Sequence, residues 1–137
     1  MPLHWNIIHD DRLMLVVADG LVVHEEVNRM LDDMVAEGAL GYRKLFDGSQ
    51  GDTTMGPSAL LDLGVRMRSL HQHGTMGPLA VVVPSDKWGI VGRVLGMLAA
   101  AKRPMRVFQN AVKARRWLNR QVLVSPTAEI PTTVTTP

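Results

Sequence analysis

The sequence predicts a single α/β domain on a mainly parallel sheet, and two observations carry that reading. Two short stretches, Leu13–Ala18 and Leu79–Val83, are apolar at every position, the pattern of strands covered on both faces. Segments with apolar residues at helical spacing separate these stretches from each other and from further strand-like runs, and helices alternating with strands imply parallel pairing. At 137 residues the chain fits one domain. A chain of this length buries about 68% of the surface its unfolded form exposes, enough to be stable without a metal or disulfide. It contains no cysteine, which excludes a disulfide framework, a thiolate metal site and a cysteine nucleophile.

The elements follow in order. Leu3, Trp5 and Ile7 alternate with His4 and Asn6, the period of a half-buried edge strand. Asp10 and Asp11 suit a tight turn into Leu13–Ala18, so the chain opens with an antiparallel hairpin. From His24 to Glu37, Val27, Met30, Leu31, Met34 and Val35 form one helical stripe. Glu25 and Glu26 suit the positive N-terminal end of that helix, and Gly38 suits a left-handed cap. Tyr42–Asp47 is the length of a third strand, and Gly48–Gly56 reads as a polar, Gly/Thr-rich loop. Pro57 opens a second helix whose Leu60, Leu63, Gly64, Met67 and Leu70 share a face. Leu79–Val83 follows, bracketed by prolines, and Ser85 can cap a third helix containing Val91, Val94, Leu95 and Leu98. Pro104 stops that helix and Met105–Phe108 supplies the last strand. Asn110 then caps a helix carrying Ala111, Ala114, Trp117 and Leu118. The order is β-β-α-β-α-β-α-β-α over residues 1–120, followed by a Thr/Pro-rich tail at 121–137 whose composition predicts flexibility.

Charge is unevenly distributed. Residues 1–63 hold 4 Lys and Arg against 11 Asp and Glu, and residues 64–137 hold 11 against 2. The basic third, with Lys102, Arg103, Arg106, Lys113, Arg115, Arg116 and Arg120, reads as a solvated or anion-attracting face. Nucleic-acid binding is not expected, because aromatics make up only 4% of the chain and stacking partners are few. Met1–Asp11 has no Lys or Arg ahead of the apolar run, and no run is long enough to cross a bilayer, so a cytoplasmic protein is expected.

No catalytic fingerprint emerges. None of the serines at 49, 58, 69, 85 and 125 sits in a Gly-x-Ser-x-Gly elbow. His71 and His73, two apart at the end of the second helix, would diverge on a helix and suit its negative C-terminus better than a metal. His4, His9 and His24 are scattered, and Asp32 and Asp33 read as solvated face. Gly89, Gly92 and Gly96 lie in the third helix, where each glycine costs about 1 kcal/mol relative to alanine. Either Gly92 and Gly96 let a helix, a subunit or a flat ligand come close, or the helix begins late and packs tightly on its own sheet. Nine methionines are present; Met30, Met34 and Met67 fall on core stripes, while Met55 lies in the polar loop where it would be exposed.

The element order is joined by particular residues: Gly20 before the first helix, Leu45-Phe46-Asp47, Leu79–Val83, and Arg106-Val107-Phe108 followed by Ala111, Ala114, Trp117 and Leu118. Together, over about residues 3–120, they resemble the SpoIIAA-like fold shared by STAS domains (sulfate transporter and anti-sigma-factor antagonist) and the lipid-binding lobe of CRAL-TRIO proteins. The closing segment is similar to that of uncharacterised bacterial members. The STAS resemblance implies a non-enzymatic protein-interaction or regulatory module, a homodimer without cofactor or metal. Its contacts would come from Ser49, Thr54, Met55 and Ser58 and from Lys87, Trp88, Gly92 and Gly96. STAS antagonists carry a phosphorylatable serine in an Asp-Ser-x-Gly motif. Here Asp47 is followed by Gly48, leaving Ser49 or Ser58 as the acceptor. The CRAL-TRIO resemblance implies instead a binder of a small apolar or lipid-like molecule near Trp88, Met55 and the glycine face. A hydrolase-type enzyme with residues assembled across loops is a third alternative.

Overall fold

A computed structural model describes residues 2–53, 55–83 and 104–121. The expected third helix with Lys87, Trp88, Gly92 and Gly96, as well as Thr54 and the tail from residue 122, lie outside these residues. The described elements are β1 (Leu3–Ile8), β2 (Leu13–Leu21), α1 (His24–Ala36), β3 (Arg43–Asp52), α2 (Pro57–Leu70), a 3-10 turn (His71–His73), β4 (Leu79–Val82), β5 (Met105–Phe108) and α3 (Ala111–Asn119). The five strands form one sheet in the order β1-β2-β3-β4-β5. β1 pairs antiparallel with β2, and the remaining pairs are parallel, as expected of a helix-connected sheet.

The Asp10-Asp11 turn forms, closed by Arg12 N–H donating to the His9 carbonyl at 3.1 Å. α1 ends in a Schellman arrangement: Gly38 takes φ +72, its N–H donates to Val35, and Ala39 N–H donates to Met34. Asn110 caps α3 by accepting from the N–H groups of Val112 and Lys113 at 2.8 and 3.1 Å. β4 is buried throughout, as its uninterrupted apolar run predicts.

Side chains sort by sheet face. On one face, Met14, Val16 and Ala18 of β2 join Val27, Met30, Leu31 and Met34 of α1 and Leu63 and Leu70 of α2. On the other, Leu13, Ala80 and Val82 pack with Ala114 and Leu118 of α3.

Four expectations need correction. β3 does not end at Asp47: it continues through Gly48, Ser49, Gln50 and Gly51 to Asp52, pairing Asp19 with Gln50, Gly20 with Gly51 and Leu21 with Asp52 beyond a register shift that sets Gly48 and Ser49 opposite Ala18. Glycine composition reads as loop, yet here it permits close approach, since a Cβ on Gly51 would stand 2.6 Å from that of Ala18. Second, β2 is not covered on both faces. Val17 is 44% exposed and Leu15 only partly buried, because α3 covers the far face mainly over β3, β4 and β5. Third, Val35 leaves the α1 stripe and is 41% exposed. Fourth, Asp32 and Asp33 are not merely solvated. Asp33 accepts from the Trp5 indole N–H at 2.7 Å, holding α1 to β1, and Asp32 accepts from Arg66 of α2 at 2.5 Å.

Candidate functional site

The face under α1 and α2 holds a pocket of about 180 Å³. Its floor comes from the strands: Met14, Val16 and Ala18 of β2, Phe46, Gly48 and Gly51 of β3, and Leu79 and Val81 of β4. Period-two alternation aims these residues at one side of the sheet, and the extra residue of β3 at the register shift brings Gly51 into phase with them. The helices supply the roof, with Val27, Met30, Leu31 and Met34 from α1 and Leu60, Leu63 and Met67 from α2, following the helical spacing legible in the sequence. Arg66 staples the roof together. One of its terminal nitrogens (Nη1) donates to the carbonyl and side-chain oxygens of Asn28 at 2.9 and 2.7 Å, and the other (Nη2) donates to Asp32.

Thr53 and Met55 bound the pocket at the C-terminal end of the parallel strands, the end where open α/β sheets hold their ligands. Thr53 Oγ1 donates to the Val22 carbonyl at 2.8 Å and accepts from Met55 N–H at 3.1 Å, fixing the loop against the end of β2. Lys44, buried in the same lining, has its ammonium bonded to the carbonyls of Leu40 and Tyr42 at 2.6 and 2.8 Å. A charge this buried is held only by such polar partners.

Of the expected contact residues that are described, Ser49, Met55 and Ser58, one lines this pocket. Met55 is partly buried and lines it, where the sequence reading made it exposed. Ser49, part of β3, donates its hydroxyl to Asp47 at 2.7 Å, so a phosphate there would meet a carboxylate. Ser58 lies exposed in the first turn of α2. Among the described residues no serine is hydrogen-bonded to a histidine, and no group of three or more His, Asp or Glu is placed to hold a metal.

Sequence reasoning missed two features. Met14 and Met76 join Met30, Met34, Met55 and Met67 in the lining, and the only available signal was the count of nine methionines. His9 reads as isolated in the sequence. It bonds the Tyr42 hydroxyl through Nδ1 at 2.7 Å and Glu37 through Nε2 at 3.1 Å, at the opposite end of the sheet from Met55. His9 lies 33 and 28 residues from Tyr42 and Glu37, so no local motif announces the cluster.

Models of protein families give no match to the sequence, and neither do the curated proteins. Among solved structures, the chain is similar to an uncharacterised protein of the DUF3478 family with a SpoIIAA-like fold from Shewanella loihica PV-4. The TM-score is 0.54 at 18% identity, covering 85% of this chain and 91% of that chain. At this identity the likeness bears on fold. With the mixed five-stranded sheet, it makes the chain an α/β protein of SpoIIAA-like fold. No helix among the described residues is long and apolar enough to cross a membrane.

Proposed function

We propose that this chain is a binding module for a small apolar molecule held between the sheet and the α1–α2 roof. The pocket carries this reading. Protein interiors are close-packed, with few voids larger than a water molecule. The observed 180 Å³ is partly open to solvent and bounded mainly by apolar side chains, which lack there the contacts a packed core supplies. A bound apolar molecule recovers those contacts. Drug-sized ligands occupy roughly 300–1,000 Å³, whereas an engineered apolar cavity of about 150 Å³ takes up benzene, so a compact ligand fits best. The cysteine-free composition suits action in the cytoplasm.

Thermal denaturation against a panel of small alkyl and aromatic compounds tests the reading. A binder present at 100 times its Kd adds about 2.7 kcal/mol, worth several degrees in Tm for a domain of this size. Val16→Phe, which fills the pocket from its floor, should remove the shift while the protein stays folded. A panel that leaves Tm unmoved, together with native mass spectrometry showing no retained ligand in protein from its own cells, would count decisively against it.

The second reading, a STAS-like interaction module acting as a homodimer, is favoured by the outer face of α2. Leu61 and Val65, four residues apart and therefore neighbours on that face, are 46% and 60% exposed. Ser58 lies one turn before them and Met55 at the loop leading in, which makes the two natural contacts in this reading. Sedimentation should show a dimer that Val65→Glu dissociates; a monomer at every concentration would dismiss it.

A further inference from the structure

We infer that the pocket selects a neutral planar aromatic ligand of one or two fused rings over a saturated ligand of the same skeleton, with methionine thioethers gripping the ring. This rests on the reading of the pocket as a ligand site and names its ligand class.

Among the described residues six methionines line the pocket. They arrive from separate parts of the fold: Met14 from β2, Met30 and Met34 from adjacent turns of α1, Met55 from the loop after β3, Met67 from α2, and Met76 from the segment before β4. No single repeat or helix stripe brings them together. The opposite face of the same sheet serves as an internal control. Among the described residues its core contains no methionine; it is filled by Leu13, Ala80, Val82, Ala114 and Leu118 and edged by the rings of Phe108 and Trp117.

Methionine can fill irregular gaps in a core, but filling alone does not call for six of them around one space. Leucine occupies nearly the same volume and loses less rotamer freedom on ordering than methionine. What methionine adds is a polarizable sulfur that makes favourable contacts with aromatic rings at about 5 Å, on a stem flexible enough to adapt to a guest. Among the described residues Phe46 is the aromatic side chain in the lining, with Trp5 and Tyr42 packed against the same core. The thioethers line the space itself from several elements, so a ring held there would meet polarizable sulfur on more than one side. Neutrality follows from the lining as well. Apart from Lys44, whose ammonium is bound to backbone carbonyls, and the exposed Asp52, the described lining residues are uncharged, so a ligand charge held among the methionines would be desolvated with few partners.

The full chain is titrated calorimetrically with 2-naphthol and with decahydro-2-naphthol, which share a carbon skeleton and hydroxyl and differ in aromaticity. 2-Naphthol is expected to bind about tenfold more tightly or better. In Met30→Leu/Met67→Leu, a volume-conserving change, that preference should fall to about twofold or less, chiefly through weaker 2-naphthol binding. Met14→Leu/Met34→Leu gives a second measure should the first variant fold poorly. Equal or tighter binding of the saturated compound, or a preference that survives both double variants, overturns the inference and leaves the pocket reading intact. Binding of neither compound overturns both.

Discussion

Two glycines show how differently single residues can be constrained. Gly38 terminates α1 at φ +72 with nothing within 4 Å of the place a Cβ would occupy, so its constraint is purely one of backbone conformation. Gly77 has ordinary φ and no room: a Cβ there would lie 2.1 Å from the Tyr42 carbonyl oxygen, with the backbone held close by Gly77 N–H donating to Leu40 at 3.0 Å. Gly38→Ala should therefore cost about 1 kcal/mol, the ordinary penalty for a left-handed alanine. Gly77→Ala should cost about 3 kcal/mol or more, because backbone must move against backbone. Urea denaturation of the two variants checks the order, and equal losses would refute the steric reading of Gly77. Glu26 makes a related point. Its place in the first turn of α1 suits the helix dipole, but it is 3% exposed, with one oxygen accepting from Leu3 N–H at 3.4 Å and the other without a partner.

At the scale of elements, α1 and α2 act as a unit because Arg66 reaches across to Asn28 and Asp32. The Asp32 carboxylate is 68% exposed, so solvent screens that pair, and the bonds to Asn28 matter more. Arg66→Ala should lower stability by about 1 kcal/mol without changing the denaturant m-value, and should speed amide exchange in α2 more than in α3. Asn110→Ala, which removes the α3 cap, should cost a similar ~1 kcal/mol. What was legible in the sequence follows the same division. α1, α2 and α3 could be read because apolar spacing, Pro57, Gly38 and Asn110 are local signals. The length of β3 could not, because Gly48-Ser49-Gln50-Gly51 resembles a loop until the neighbouring strand supplies its hydrogen bonds. Arg66 was equally silent, since its partners lie 34 and 38 residues away. Of the pocket, the helical stripes were visible, but their convergence with Met14 and Met76 depends on the strand order, which no local pattern encodes.

Over the whole molecule the sheet has two unequal faces. One supports α1, α2 and the pocket. The other supports α3, which reaches β3, β4 and β5 and leaves the outer side of β2 in contact with water. This explains why Leu13–Ala18 and Leu79–Val83, equally apolar in sequence, differ in surroundings: β4 is buried at every position, while β2 alternates from Val16, 4% exposed, to Val17, 44% exposed. The resemblance survives the correction because it rests on element order and sheet topology as well as on coverage of β2. A paired substitution measures the asymmetry. Val82, 1% exposed beneath α3, should cost about 2 kcal/mol when changed to Ala, through lost burial and the cavity left behind. Val17→Thr keeps the β-branched shape and places a hydroxyl where water already reaches, so it should shift stability by no more than about 0.5 kcal/mol. Denaturant midpoints of the two variants decide the matter. If Val17→Thr proves as costly as Val82→Ala, the outer side of β2 is covered in solution, and the two faces are closer to equal than this arrangement makes them.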